Sequence, residues 1–251
     1  MRKKLIILFS ILTFVAVMII FNSTVFTVKK ISAVVTNVQD TSLCQKIIKN
    51  ADVPVQSIFF LSEKKIKENV SRSVPEVKVI KIERKFPDKL IIHAYKRTKI
   101  CYIKYDNVFY ILGEDLVVID IINTRPTGIA ELFLYNDVDM INARKGFELD
   151  IQTIAKIDLL NLIKCIKNIG YQYFELIQKI HYFRKTNDIY LKTFSGVTIH
   201  LSNTERLQEK TVIAFSLYNH TPVYRTSGTI SAYIDKDGNL KASYRPEELD
   251  F

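Results

Sequence analysis

Few residues in this 251-residue chain are spaced to do chemistry. The histidines include no pair at helical spacing and no His-Glu-x-x-His motif, so they do not predict a zinc site. They are His93, His181, His200 and His220, and each is expected to be a half-exposed histidine on a strand or at a helix end. Ser195 precedes a glycine but lacks the Gly-x-Ser-x-Gly frame of a nucleophile elbow. Ser195 and Gly196 are therefore predicted to form a hairpin turn.

Acidic residues could in principle hold a cation or move a proton. Residues 235–239 begin like a calcium loop but lack its third acidic ligand and its distal glutamate, so a tight turn at Asp237 and Gly238 explains them better. Two pairs of neighbouring carboxylates fall in predicted loops, where solvation is the default: Asp137 with Asp139, and Glu247 with Glu248. The sequence contains no Walker loop and no dinucleotide glycine fingerprint. We therefore predict no catalytic residues, no metal site and no cofactor.

The composition describes a folded chain with a basic surface. An apolar fraction of 48% excludes a disordered protein, and the length allows one large or two small domains. Cys44, Cys101 and Cys165 form no CxxC motif and no disulfide framework, so they are expected to be small buried residues. The formal charge of +10 suggests anionic lipid, wall polymer or an acidic protein as a partner, although a generally basic solvated surface is the simpler interpretation. No basic cluster is interleaved with aromatic residues as in a nucleic-acid groove.

The N-terminus predicts a membrane anchor. Residues 2–4 are basic and precede an apolar run, residues 5–21, interrupted only by Ser10 and Thr13. As a helix this run would be roughly 25 Å long, close to the hydrocarbon core of about 30 Å. A cleaved signal peptide is the alternative, but its apolar region is usually shorter, and no Ala-x-Ala site follows Phe21. The positive-inside rule places residues 1–4 in the cytoplasm and the bulk of the chain outside.

The pattern of apolar residues predicts two consecutive α+β regions. In the first, strand 27–36, helix 40–51, helix 62–70 and a hairpin over 77–95 follow one another. The apolar residues of the first strand are Val28, Ile31, Val34 and Val35. The second region is predicted to be a larger antiparallel sheet with two helices, its strands at 100–105, 108–112, 116–122, 177–183, 188–193, 197–201, 229–234 and 239–244. Residues 124–146 read as loop.

Two helices are predicted within the second region. Residues 151–169 carry apolar residues at helical spacing and are followed by Gly170 in the usual C-terminal position. Residues 202–205, Ser-Asn-Thr-Glu, read as a capping box at the start of a helix that runs to about Asn219.

The hairpin contains the string Glu-Arg-Lys-Phe-Pro-Asp at residues 83–88, followed by a leucine and a Lys-Arg pair. It closely resembles the end of the POTRA module in the bacterial division family called FtsQ or DivIB. Looser matches are residues 108–115, residues 207–210 and residues 244–248. The chain departs from the family at Thr36-Asn37 and near Val55-Gln56, where glycines are usual. It carries Asp235-Lys236 in place of the family's acidic/arginine pair.

The resemblance implies a division of the chain into consecutive segments. They are a cytoplasmic tail (1–4), a transmembrane helix (5–21), a POTRA module (22–98), an FtsQ-type β domain (99–246) and a C-terminal tail (247–251). It also implies a non-enzymatic scaffold of the divisome at the septum, with no nucleic acid and no small-molecule substrate. Single-pass division proteins of the FtsL/FtsB (DivIC) type would be its partners.

The expected binding mode is addition of a partner strand to the C-terminal sheet edge. The predicted partner-binding residues are Tyr233, Asp237, Gly238, Leu240, Ala242 and Tyr244, with Tyr244 as the anchor. Alternatively, Tyr233 and Tyr244 are cross-strand neighbours packed on their own sheet. Two other functions stay open: a POTRA-containing protein of outer-membrane assembly or secretion, and an anchored cell-wall hydrolase.

Overall fold

The structure, a computed structural model, describes residues 9–17, 25–135, 143–220 and 227–247. The chain divides into two compact units, Met1–Arg97 and Thr98–Phe251. Residues 9–17 are helical, whereas the rest of the predicted anchor 5–21, both predicted tails apart from Glu247, and the pair Asp137 and Asp139 lie outside the described residues. Among the helices that the structure describes, none is long and apolar enough to cross a membrane.

The first unit has the predicted order strand, helix, helix, strand, strand. Its elements are β1 (Lys30–Val35), α1 (Thr41–Asn50), a 3-10 turn (Ile58–Phe60), α2 (Glu63–Ser73), β2 (Val77–Lys85) and β3 (Lys89–Lys96). The sheet order is β1-β3-β2, with β1 parallel and β2 antiparallel to the central β3. The fold is thus the β-α-α-β-β module expected of a POTRA domain.

Local sequence explains where the helices of this unit begin and which faces they bury. Asp40 caps α1 by accepting a hydrogen bond from the Leu43 amide at 3.0 Å, and Ser62 caps α2 in the same way. Leu43 and Ile47 of α1 pack into the same core as Ile66 and Val70 of α2. Val34, one of the apolar residues of β1, faces away from this core. Val34 is 44% exposed, because side chains alternate along a strand and Val35 takes the core side.

The second unit is built on a nine-stranded sheet. Its elements are β4 (Lys99–Tyr105), β5 (Val108–Gly113), β6 (Val118–Ile122), β7 (Ala130–Tyr135), α3 (Thr153–Ile169), α4 (Gln172–Leu176), β8 (Ile177–Phe183), β9 (Asp188–Thr193), β10 (Thr198–Leu201), α5 (Leu207–His220), β11 (Thr229–Ile234) and β12 (Leu240–Arg245). The strand order is β12-β11-β10-β9-β8-β7-β4-β5-β6. The main core packs one face of this sheet against α3 and α5.

The sheet is mixed, so the prediction of an antiparallel sheet is wrong. The pairs β7/β8, β10/β11 and β4/β7 are parallel. For β7/β8 and β10/β11 the reason lies in the connections: α3 and α4 carry the chain from β7 to β8, and α5 carries it from β10 to β11. Helical crossovers of this kind return the chain to a parallel neighbour, whereas tight turns reverse it.

Strand β7 was missed because it contains a buried charge. It lies within residues 124–146, which the sequence pattern assigned to a loop. Glu131 of β7 is buried and accepts hydrogen bonds from Tyr102 Oη at 3.0 Å and Arg125 Nη2 at 2.8 Å. A carboxylate at a buried position breaks the apolar pattern that reveals a strand, and only the fold supplies the partners that stabilise it.

Helix α3 ends as predicted, whereas α5 begins differently from the prediction. Gly170, with φ at +144°, terminates α3. The expected capping box at residues 202–205 is wrong, since α5 starts only at Leu207. Instead, the Asn203 amide donates to Asp188 Oδ1 at 2.8 Å, and Asn203 Oδ1 accepts from the Glu205 amide at 3.0 Å. The polar run forms a turn that connects β10 to α5.

Candidate partner-binding edge

The β11–β12 hairpin forms one end of the nine-stranded sheet. β12 pairs with β11 on its inner side, and no other strand of the described residues pairs with its outer side. An outermost strand directs every second backbone N–H and C=O away from the sheet. The hairpin therefore offers a backbone surface as well as side chains.

Asp235 organises the turn of this hairpin. Its amide donates to Asn239 O at 2.9 Å, and its carbonyl accepts from the Gly238 amide at 3.0 Å. Its side-chain oxygen Oδ1 also accepts from the amides of Asp237 at 3.0 Å and Asn239 at 2.8 Å. Gly238 takes the left-handed conformation, with φ at +80°, that closes such a turn at little cost. Residues 235–239, which begin like a calcium loop, therefore form a turn in which Asp235 accepts hydrogen bonds from the backbone amides of the same segment.

Lys241 is the charge partner of Asp235. Lys241 Nζ lies 2.6 Å from Asp235 Oδ2. This hydrogen bond, with smaller contributions from the amides of Asn239 and Asp237, lowers the pKa of Asp235 to about 2, while Asp235 raises the pKa of Lys241. The family's acidic/arginine pair was located at Asp235 and Lys236 in the sequence, but the structure pairs Asp235 with the second residue of β12 instead.

The register of the hairpin decides which backbone groups face outward. Asp235 and Asn239 form the first hydrogen-bonded residue pair of the hairpin. In an antiparallel ladder, hydrogen-bonded pairs, here called bonded rungs, alternate with pairs that are not hydrogen-bonded. Lys241 opposite Tyr233 and Ser243 opposite Ser231 are therefore the bonded rungs. The N–H and C=O groups of Leu240 and Ala242 consequently point away from β11, toward the outer side.

Comparison with known proteins agrees with the fold of the first unit. Residues 29–94 match the family model "POTRA domain, FtsQ-type". The cell division protein DivIB of Clostridium tetani (strain Massachusetts / E88) is 32% identical over 89 residues, covering 34% of this chain and 33% of that protein. The FtsQ-type POTRA domain of this chain thus resembles that of the FtsQ/DivIB family. The matched part of this chain spans about one third of the length of the Clostridium relative.

Among solved structures, the chain matches the major extracytoplasmic domain of the trans isomer of the cell division protein DivIB from Geobacillus stearothermophilus. The match covers 50% of this chain and 98% of that domain, with 13% identity and a TM-score of 0.32. The likeness to this family therefore rests on the family model and the Clostridium relative. The resemblance that was based on the hairpin string is confirmed.

The predicted partner-binding residues lie on one hairpin but not on one face. Leu240, Ala242 and Tyr244 share the face that packs toward α5, and Tyr233 points to the opposite face, beside Lys241. Asp237 and Gly238 lie in the turn. Tyr233 and Tyr244 are therefore not cross-strand neighbours, because Tyr244 lies opposite Ile230.

Tyr244 packs against its own unit. Its ring is part-buried against the main core, and its hydroxyl donates to Ser227 O at 3.0 Å. Gly228 makes this contact possible, since a Cβ there would lie 2.7 Å from the tyrosine ring and 2.5 Å from the carbonyl oxygen of Arg245. Sequence reasoning found Tyr244 but missed Ser227 and Gly228, although a glycine just before a predicted strand is a visible signal of close approach.

Lys210 is a second residue that sequence reasoning missed. It is fully buried on α5, and its Nζ donates to Ser202 O at 2.5 Å and to Asn203 Oδ1 at 2.7 Å. Burial lowers the pKa of this ammonium group. These bonds fix the connection between β10 and the helix beneath the hairpin. The signal was present in the sequence, because Leu207, Lys210 and Ala214 recur at helical spacing on the buried face.

The opposite face of the sheet carries a ladder of stacked rings. His181 stacks on Phe133 with 4.8 Å between ring centroids, and Tyr190 stacks on His200 at 4.3 Å. The prediction of a half-exposed His181 is wrong: it is only 5% exposed, and Tyr135 Oη lies 2.9 Å from its Nδ1. Burial, reinforced by Lys179 and Lys192, lowers the pKa of His181 to about 4. The described residues contain no group of three side chains suited to hold a metal ion.

Proposed function

We propose that this chain is a non-enzymatic scaffold of bacterial cell division. It is anchored in the plasma membrane by residues 5–21, with its two units outside the cytoplasm at the division septum. It binds single-pass partners of the FtsL/FtsB (DivIC) type through a strand added to the outer side of β12. The observation that carries this proposal is the outward direction of the Leu240 and Ala242 backbone groups.

The two ends of the sheet differ in a way that favours β12. At the other end, the outer side of β6 is engaged by residues 146–147: the Val118 amide donates to Phe147 O at 2.9 Å, and the Gly146 amide donates to Val118 O at 2.8 Å. Strand β12 has no such segment beside it among the described residues. A partner strand that pairs there would extend a sheet already fixed by eight other strands, so the chain orders little of itself on binding.

The edge exposes charges of both signs. Lys236, Lys241 and Arg245 are exposed on or beside β12, and so are Asp237 and Glu247, while Lys241 is paired with Asp235. Charged groups on the added strand would chiefly fix the register and accelerate association.

The change Ala242→Pro tests the proposal. Proline lacks the N–H that faces outward at this position, but the neighbouring rungs at Lys241 and Ser243 keep their bonds to β11. Each lost main-chain hydrogen bond is worth about 1 kcal/mol, and the proline ring also obstructs the added strand, so binding should weaken at least about tenfold. The measurement is a titrated pull-down of the FtsL/FtsB (DivIC)-type partners with the full-length chain.

Ala242→Ser is the matched control, because it retains the N–H and should bind like the unaltered chain. Retained amide-exchange protection of Lys241 and Ser243 would show that the proline variant keeps its hairpin. A folded Ala242→Pro variant that binds its partners normally would refute strand addition at β12.

A further inference from the structure

A cluster of largely solvent-exposed phenylalanine side chains lies at one end of the first unit. Phe59 lies between Phe26 and Phe86, with 5.1 Å between ring centroids on each side. The side chains of Phe59 and Phe86 are 48% and 56% exposed, and Phe60, the next residue of the 3-10 turn, is 73% exposed. We call Phe26, Phe59, Phe60 and Phe86 the phenylalanine end. Contiguous exposed aromatic residues of this kind mark a surface that something covers.

Backbone hydrogen bonds hold this end together. The Ile58 amide donates to Phe26 O at 2.8 Å, which joins the 3-10 turn to the segment before β1. The Lys29 amide donates to Asp88 O at 2.9 Å, which joins the start of β1 to the turn between β2 and β3. Three chain segments therefore present their phenylalanines at one place, as a fixed part of the fold.

Lysine residues border the phenylalanine end. Lys29 and Lys30 follow Phe26 in the chain, and Lys85 precedes Phe86. All three are exposed. Exposed aromatic rings with a rim of lysines match the boundary of an anionic bilayer, where rings enter the headgroup layer and ammonium groups meet lipid phosphates.

The covalent chain brings this end close to the predicted anchor. Four residues lie between Phe21, the last residue of the apolar run, and Phe26, so the two are five residue steps apart. A chain spans at most about 3.6 Å per residue, so Phe26 lies within about 18 Å of the end of that run. A bilayer that holds residues 5–21 is thus within reach of the phenylalanine end.

We propose that the phenylalanine end docks into the interfacial layer of an anionic membrane, which covers Phe59, Phe60 and Phe86 and contacts Lys29, Lys30 and Lys85. This docking rests on the membrane anchor of the proposed function. It adds a second, reversible contact that holds the POTRA module against the lipid surface. It does not involve the β12 edge.

The absence of tryptophan from the chain gives a clean test. Phe60→Trp introduces a single fluorophore at the phenylalanine end, and Ile80→Trp introduces one at a comparably exposed site on β2. Ile80 lies six residues before Phe86, roughly 20 Å along a strand. The full-length variants are reconstituted into vesicles of phosphatidylglycerol and phosphatidylcholine, with and without brominated acyl chains.

We expect the Phe60→Trp emission to shift to shorter wavelength and to be quenched by brominated lipid, while the Ile80→Trp emission shows neither change. Adding Phe86→Ser to Phe60→Trp, or omitting phosphatidylglycerol, should reduce the quenching. A Phe60→Trp emission that brominated lipid does not quench, in protein that floats with the vesicles, would overturn the docking and leave the anchor intact. Protein that does not float with the vesicles would overturn the anchor and the docking together. Normal partner binding in either case would leave the β12 proposal standing.

Discussion

Tyr244 combines a packed ring with a hydroxyl that has its own partner. The ring lies over Gly228, and the hydroxyl donates to Ser227 O. Both contacts are internal to the second unit, so the tyrosine supports the β12 edge in the absence of any partner. Its exposed part can still contact an added strand, because it shares a face with Ala242. The two roles can be separated by substitution.

We expect Tyr244→Phe and Tyr244→Ala to differ. The phenylalanine variant loses only the bond to Ser227, worth about 1 kcal/mol, and should bind the FtsL/FtsB (DivIC)-type partners within about twofold of the original affinity. The alanine variant loses the ring that supports the edge and that anchors the partner, and should bind at least about tenfold more weakly. A titrated pull-down measures both. Equal, undiminished binding by a folded alanine variant would remove Tyr244 from the site.

At the level of elements, the ring ladder couples the strands β7 to β10. His181 of β8 lies between Phe133 and Tyr135 of β7, and Lys179 and Lys192 flank it. Protonation would place a third positive charge beside these lysines in a buried position. The folded state therefore holds the histidine neutral over a range in which the unfolded chain binds a proton.

This linkage predicts acid sensitivity of the ladder strands. The pKa of His181 falls from 6.5 to about 4 on folding, which corresponds to about 3 kcal/mol. That stability is fully present above pH 6.5 and is lost as the pH falls toward 4, because only the unfolded state takes up the proton in this window. Amide exchange of β8, corrected for the intrinsic rate at each pH, measures the loss.

His181→Phe should abolish most of this pH dependence, since phenylalanine keeps the stack on Phe133 without a titrating group. His220, which is exposed at the end of α5, provides the matched control. His220→Phe should leave the pH dependence as it was. A His181→Phe variant that loses as much protection between pH 6.5 and 4 as the unaltered chain would contradict this assignment.

Elements whose signals are local were predictable from the sequence. The hairpin over 77–95 and the hairpin ending at Tyr244 were found because alternating residues flank turn residues with a clear preference, namely Pro87 with Asp88, and Asp237 with Gly238. Elements whose stability comes from distant partners were not predictable. The buried Glu131 of β7 interrupts the apolar pattern, and its partners Tyr102 and Arg125 are brought to it only by the fold. The parallel pairs β7/β8 and β10/β11 depend on which strands the helical crossovers join.

For the candidate edge, the sequence identified the residues but not their directions. The alternating pattern shows that Leu240, Ala242 and Tyr244 share one face of β12, and it places Tyr233 on the preceding strand, β11. It does not reveal that Tyr233 opposes Lys241 on the other side of the sheet, nor that Asp235 selects Lys241 over Lys236. Both facts depend on the register, which the turn geometry around Asp235 fixes.

For the whole molecule, the two units have separate hydrophobic cores and carry separate surfaces. The first unit presents the phenylalanine end, and the second presents the β12 edge. Neither surface contains a constellation that would do chemistry, and both are suited to contact: one with lipid, the other with a polypeptide backbone. The proposed scaffold function would use both contacts.

Amide exchange resolved to single residues of β12, in the free chain and in its complex with the FtsL/FtsB (DivIC)-type partners, tests strand addition most directly. In the free chain, Lys241 and Ser243 should already be protected by β11, whereas Leu240 and Ala242 should exchange fast. In the complex, Leu240 and Ala242 should become protected while Lys241 and Ser243 change little. A stable complex in which the Leu240 and Ala242 amides still exchange as in the free chain would contradict the account.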